Sequence, residues 1–119
     1  MFDWGDYLKL ANELAQIDPS SNNAEAYYRC LISRAYYSVF HKSKDYILQN
    51  GGKLNRQYQE GSHQEVIAEL TKIKGWEGGT LLKLKKNRTD SDYDGNKKID
   101  QKMAKISIMY ANNIFSSLT

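Results

Sequence analysis

Between Lys85 and Gly95 the chain reads K-K-N-R-T-D-S-D-Y-D-G. No other segment gathers so many ligand-capable or reactive side chains: a basic run, Arg88, aspartates at alternate positions, Tyr93 and a glycine. Two chemistries suit these residue types. Asp90-x-Asp92-x-Asp94-Gly95 matches the first half of a helix–loop–helix calcium loop, with hard oxygen ligands and a glycine for the sharp turn. Alternatively, Arg88 with Asp92, Tyr93 and Asp94 can meet a phosphate and move protons, with Lys85 and Lys86 touching the nucleic-acid backbone.

The second half of the segment argues against calcium. The last ligand position of such a loop needs a bidentate glutamate, and Gln101 stands there. Lys97 falls where an apolar residue is usual, and Lys98 adds a second positive charge. The plainer reading is a polar connection whose aspartates cap the final helix. No thiolate zinc site can form, since Cys30 is the one cysteine. Neither a nucleophile-elbow serine motif nor a phosphate-binding glycine loop is present; Gly75-Trp76-Glu77-Gly78-Gly79 lacks the required lysine and hydroxyl. No cofactor is expected.

Two histidines remain as acid–base candidates. His41 follows Phe40 on an apolar stretch and suits a polar position on a packed helix. His63 falls in the first turn of a helix, where capping or surface duty competes with catalysis. Nothing in the spacing brings the two together. Arg34 stands in the apolar run L-I-S-R-A-Y-Y-S-V-F, so burial would oblige it to find a partner, either a loop aspartate or a residue of a second subunit. Nine tyrosines include the pairs Tyr27-Tyr28 and Tyr36-Tyr37. Aromatics among basic groups can stack on unpaired bases, but helical spacing favours core or dimer packing.

The elements that must position these groups are helices. Trp4, Tyr7, Leu8, Ala11, Leu14 and Ala15 recur at three- and four-residue steps, predicting a helix over Asp3–Ile17 that Asp18-Pro19 ends. A second helix, capped by Asn22 or Asn23, runs to Asn50 and stops at Gly51-Gly52; it would be about 40 Å long. Leu31–Phe40 is apolar nearly all round, so this helix belongs in the middle of a bundle or between subunits. A polar loop is predicted over Gly52–Gly61. Ser62-His63-Gln64-Glu65 is a capping box opening a third helix with Val66, Ile67, Leu70 and Ile73 on its buried face. Gly75–Gly79 should break it, Thr80 should cap a fourth helix, and the last helix should span Asn96–Ser117. The architecture expected is all-α, an up-and-down four- to five-helix bundle forming a single domain over residues 1–119.

Composition sets the outer limits. The 119 residues carry net charge +3, 26% charged and 40% hydrophobic residues, a globular balance too mildly basic to identify a nucleic-acid binder by itself. The positive excess is local: Lys72, Lys74, Lys83, Lys85, Lys86, Arg88, Lys97 and Lys98 face Glu77, Asp90, Asp92 and Asp94. Met1–Asp6 lacks the pattern of a signal peptide, no run is long enough to cross a membrane, and single-cysteine usage agrees with a cytoplasmic location.

Four motifs in order then resemble one family. Phe2-Asp3-Trp4 looks like the opening of small stand-alone HEPN domains. Ser33–His41, S-R-A-Y-Y-S-V-F-H, resembles their R-x-Y-Y segment. Gly61–Val66 resembles their S-H-x-x-V element, and Leu81–Asp94 their L-x-x-L-x-x-x-R-x-x-x-D-Y-D run. The resemblance implies a HEPN-like bundle that pairs into a homodimer. It further implies a metal-independent ribonuclease of toxin–antitoxin or antiphage defence systems, partnered by a nucleotidyltransferase-type antitoxin or another defence effector. The family's hallmark is an arginine followed a turn or so later by a histidine. Past Arg88 those positions hold Tyr93, Asp94 and Gly95. Either Tyr93 or a carboxylate substitutes, or His63 or His41 enters from elsewhere, or this branch does not cut RNA. The candidate set is therefore Arg88, Asp92, Tyr93, Asp94 and His63 for catalysis, and Lys85, Lys86 and Arg88 for RNA. Arg34, Tyr37 and His41 are candidates for a dimer contact or structural polar network. A second reading is a non-catalytic helical module that binds a nucleotidyltransferase or effector, with Tyr93 as a residue the partner could nucleotidylate.

Overall fold

Ser62 and Asp100 each begin a helix by the same device. The Ser62 hydroxyl accepts from the Glu65 amide at 3.1 Å, and the Asp100 carboxylate accepts from the Met103 amide at 2.9 Å, satisfying donors that a helix start leaves unpaired. These caps open two of the five helices in the computed structural model, which describes residues 1–54 and 62–119. The helices are α1 Gly5–Leu14, α2 Ala24–Gln49, α3 His63–Ile73, α4 Trp76–Tyr93 and α5 Gln101–Ser117. The polar loop expected over Gly52–Gly61 lies mostly outside the described residues.

The chain folds as the expected all-α bundle around α2, which packs against each of the other four helices. The all-round apolar centre of α2 explains this place: Leu31, Ile32, Ala35, Tyr36, Val39 and Phe40 are all buried. Leu8 and Ala11 of α1, Val66, Ile67 and Leu70 of α3, Leu81 and Leu84 of α4, and Ala104, Ala111 and Ile114 of α5 complete the core. No helix among the described residues is long and apolar enough to cross a membrane.

Contacts fix the helix directions. Trp4 meets His41 while Ile17 and Tyr28 share one recess, so α1 and α2 are antiparallel. Arg29, near the start of α2, reaches backbone at the end of α4, and Ser117, at the end of α5, reaches Glu77 at the start of α4. Thus α1, α2, α4 and α5 alternate in direction. The exception is α3, which runs alongside the second half of α2 in the same sense: His63 meets Tyr36, and Ile73 approaches Gly52 just past the end of α2.

Helix α1 ends at Leu14, not Ile17, and the boundaries around α4 and the start of α5 also differ from the sequence reading. Gly75–Gly79 does interrupt the helical path, with Gly75 at φ 98°, but α4 starts at Trp76 and not after Thr80. Gly78 is there for proximity: a Cβ on it would lie 1.9 Å from Thr71 Oγ1 and 2.7 Å from the Thr71 amide nitrogen. Helix α4 also continues through Tyr93, so Arg88, Asp90 and Asp92 sit on a helix. Pairs one turn apart, Lys86–Asp90 at 3.2 Å and Arg88–Asp92 at 3.7 Å, favour that continuation. Finally, α5 begins at Gln101, with Asn96–Asp100 forming the connection.

Arg29 fixes the end of α4. Its guanidinium donates to the carbonyls of Ser91 at 3.0 Å, Asp94 at 3.1 Å and Lys97 at 2.5 Å. The Glu25 carboxylate holds Arg29 from the other side at 3.0 Å and accepts from the Ile99 amide at 3.2 Å. A cation thus satisfies carbonyls that the helix end leaves open, where the helix dipole is negative.

Candidate functional site

Arg88 is contacted from α2 and from its own helix. It lies on the inward face of α4, only 6% exposed, one turn after Leu84 and two after Leu81, both buried. Its guanidinium stands 5.1 Å from the ring centre of Tyr36, 5.3 Å from Tyr37 and 6.0 Å from Tyr93. Cation–π attraction of this kind strengthens as water is excluded. Asp92 supplies the counter-charge at 3.7 Å, while Arg88 Nε has no hydrogen-bond partner among the described residues.

His63 enters the same cluster from the first turn of α3. Its Nδ1 is 2.5 Å from the Tyr36 hydroxyl, and its ring stacks on Phe40 with centroids 4.4 Å apart. Burial lowers its pKa from the ordinary 6.5, and the positive charges of Arg88, Lys85, His41 and Lys44 lower it further. The ring is therefore held neutral. Burial pushes the Tyr36 phenol in the opposite direction, well above its ordinary value, although Arg88 opposes the shift. Tyr36 stays protonated across the physiological range.

A second chain of contacts leads away from Arg88. The Ser33 hydroxyl donates to Asp92 at 3.4 Å, and Arg34 donates to Ser33 at 3.2 Å. Arg34 is half-buried, not enclosed as its setting in the sequence implied. Its guanidinium lies 4.7 Å from the Tyr7 ring centre and 5.8 Å from that of Tyr37. The expected aspartate is met only through Ser33. His41 stacks on Trp4 at 3.6 Å between ring centres, which ties the Phe2-Asp3-Trp4 opening to the edge of the site. Tyr37 stands 6.4 Å from His41 and 6.1 Å from His63, so one tyrosine bridges the two histidines.

The remaining candidates divide clearly. Tyr93 is 76% exposed and presents its hydroxyl to solvent beside Arg88. Asp94 accepts from the amides of Asn96 and Lys97 at 3.0 and 3.2 Å, so its carboxylate shapes the turn after α4. Lys86 is ion-paired with Asp90, which Lys97 also holds at 2.8 Å; these partners keep the Asp90 carboxyl below its ordinary pKa, Lys97 most strongly. Lys85 is half-buried on the His63 side of α4. The calcium-loop reading is overturned. Asp90 and Asp92 are helical and already ion-paired, and among the described residues no three His, Cys, Asp or Glu side chains gather into a metal site.

The arrangement can hold an anion and exchange a hydrogen bond with it. Arg88 brings fixed positive charge, His63 a neutral imidazole, Lys85 and Lys44 a positive surround, and exposed Tyr93 a ring for a base. Sequence reasoning selected Arg88, Asp92, Tyr93 and His63, but left Tyr36, Phe40 and Ser33 out of the site. The R-x-Y-Y segment was the signal for Tyr36. Comparison with known protein families and with curated proteins finds no match for this chain.

Proposed function

We propose that this chain is a HEPN-type protein that engages RNA, with Arg88 and His63 meeting one phosphodiester group. The observation that carries the reading is the convergence of α3 and α4 on Tyr36. Tyr36 lies under the Arg88 guanidinium at 5.1 Å and hydrogen-bonds His63 at 2.5 Å. A histidine absent from the positions after Arg88 is thereby supplied from another helix. The chemistry open to such a pair is metal-independent cleavage: the ribose 2′-oxygen attacks phosphorus as its proton passes to solvent water, the P–O5′ bond breaks, and the 5′-oxygen leaves as a hydroxyl protonated by water. Arg88 offsets charge on the phosphoryl oxygens, and His63 lends a hydrogen bond beside it. Homodimerisation, a toxin–antitoxin or antiphage setting and a nucleotidyltransferase-type partner follow from the family resemblance.

A second reading has its own support. The chain Arg88–Asp92–Ser33–Arg34 is the kind of polar network a non-catalytic interaction module would keep for structure. Exposed Tyr93 is then an acceptor for a nucleotidylating partner.

Incubating RNA with wild type, Arg88→Ala and His63→Ala in EDTA separates the two. Cleavage by wild type that both variants lose supports the ribonuclease. RNA left intact and unbound by the wild type, with capture of a nucleotidyltransferase instead, supports the module.

A further inference from the structure

We infer that Tyr36 holds His63 as its Nε2–H tautomer, making His63 a neutral hydrogen-bond donor to a phosphate oxygen beside Arg88. The phosphate part rests on the RNA reading above; the tautomer rests on the cluster alone.

Tyr36 is fully buried, and a buried hydroxyl left without an acceptor is costly. Among the described residues its hydrogen-bond partner is His63 Nδ1, at 2.5 Å. A phenol that stays protonated in that position donates its proton along this line, so Nδ1 is the acceptor. In a neutral imidazole the hydrogen then sits on Nε2. The charged groups around the ring disfavour a second proton: Arg88 and Lys85 from α4, and Lys44 and His41 from α2, are all positive or can become so. Phe40 stacks on the ring and Tyr37 meets it edge-on, so its plane is set by packing. The donor on Nε2 therefore belongs to a ring set among positive charges and aromatic side chains, a setting that suits an oxyanion. With its Nε2 lone pair occupied by hydrogen, His63 does not take up the ribose 2′-hydroxyl proton. Its contribution is a hydrogen bond to the phosphoryl oxygen.

The test is nitrogen NMR on the full chain labelled with 15N-histidine, with a His41 variant to assign the two rings. At neutral pH we expect His63 Nδ1 to show the shift of an unprotonated acceptor nitrogen and Nε2 that of an N–H. A slowly exchanging Tyr36 hydroxyl proton should correlate with Nδ1. The opposite tautomer, a doubly protonated ring, or a hydroxyl proton lost to solvent would overturn the inference. The correlation is read on wild type, so it stands even if Tyr36→Phe fails to fold. An RNA made uncleavable by a 2′-deoxy substitution should then move the Nε2–H resonance while Nδ1 stays an acceptor. His63→Ala should weaken its binding about tenfold, and His63→Gln, which keeps a side-chain N–H donor, should restore most of that loss. RNA that binds without moving Nε2–H overturns the donor role alone. Failure of RNA to bind overturns the RNA reading and the phosphate assignment with it, while the tautomer result is judged by its own signals.

Discussion

The Arg88 guanidinium lies over Tyr36 at 5.1 Å, and the hydroxyl of that same tyrosine binds His63. One buried side chain of α2 therefore sets the positions of a cation on α4 and an imidazole on α3.

Arg88→Ala should cost stability as well as RNA binding. It removes the charge facing Asp92 and leaves space beside Tyr36 and Tyr37. The expected loss is about 1–3 kcal/mol, read from urea unfolding midpoints. Arg88→Lys keeps the charge but not the flat guanidinium, and should recover only part of it.

Stability should fall with acid in a way that depends on His63. The folded protein holds this histidine below its ordinary pKa of 6.5, so the unfolded chain binds its proton first as pH drops. The contribution of neutral His63 is therefore complete above about pH 6.5 and is lost as pH falls from there toward the depressed folded value. His63→Gln should flatten the wild-type decline over that window in a series of thermal melts. An equally steep decline in the variant would refute the assignment.

Gly78 and Gly79 should respond oppositely to alanine. Gly78→Ala drives a methyl into the Thr71 backbone and should cost about 1–3 kcal/mol or more. A Cβ at Gly79 meets nothing within 4 Å, and the residue lies inside α4. Gly79→Ala should stabilise the fold by about 0.5–1 kcal/mol. Chemical denaturation of the two variants checks both signs.

Arg29→Met should release the end of α4. Losing a charged donor to the carbonyls of Ser91, Asp94 and Lys97 should cost about 2–4 kcal/mol in global stability. Hydrogen exchange should show the first loss of protection at the amides of Asp94, Lys97 and Ile99.

RNA binding, if it uses the basic run, should weaken with salt. Replacing Lys85 and Lys86 together should reduce the slope of log affinity against log salt by about one to two. An unchanged slope would place the RNA elsewhere.

The helices were legible because their signals are local. Periodic apolar faces located all five, and the serine half of the capping box read at Ser62 is formed. The start of α4 was misplaced because glycine has two uses: punctuation, which local reading assumes, and close helix contact, which needs Thr71 from another helix. The aspartates looked like a loop because their composition favours turns, whereas ion pairs to Lys86 and Arg88 continue the helix. Arg88 and His63 could each be chosen by residue type. Their convergence on Tyr36, and the anchoring role of Arg29, depend on contacts between distant parts of the chain, which no local pattern carries.

Gly78 and Thr71 mark a close contact between α3 and α4, and His63 lies eight positions before Thr71 on the same helix, about 12 Å along its axis. The imidazole is thus carried on a short rigid arm whose fulcrum lies outside the site. A substitution that displaces α3 at this contact should therefore also move His63 against Tyr36.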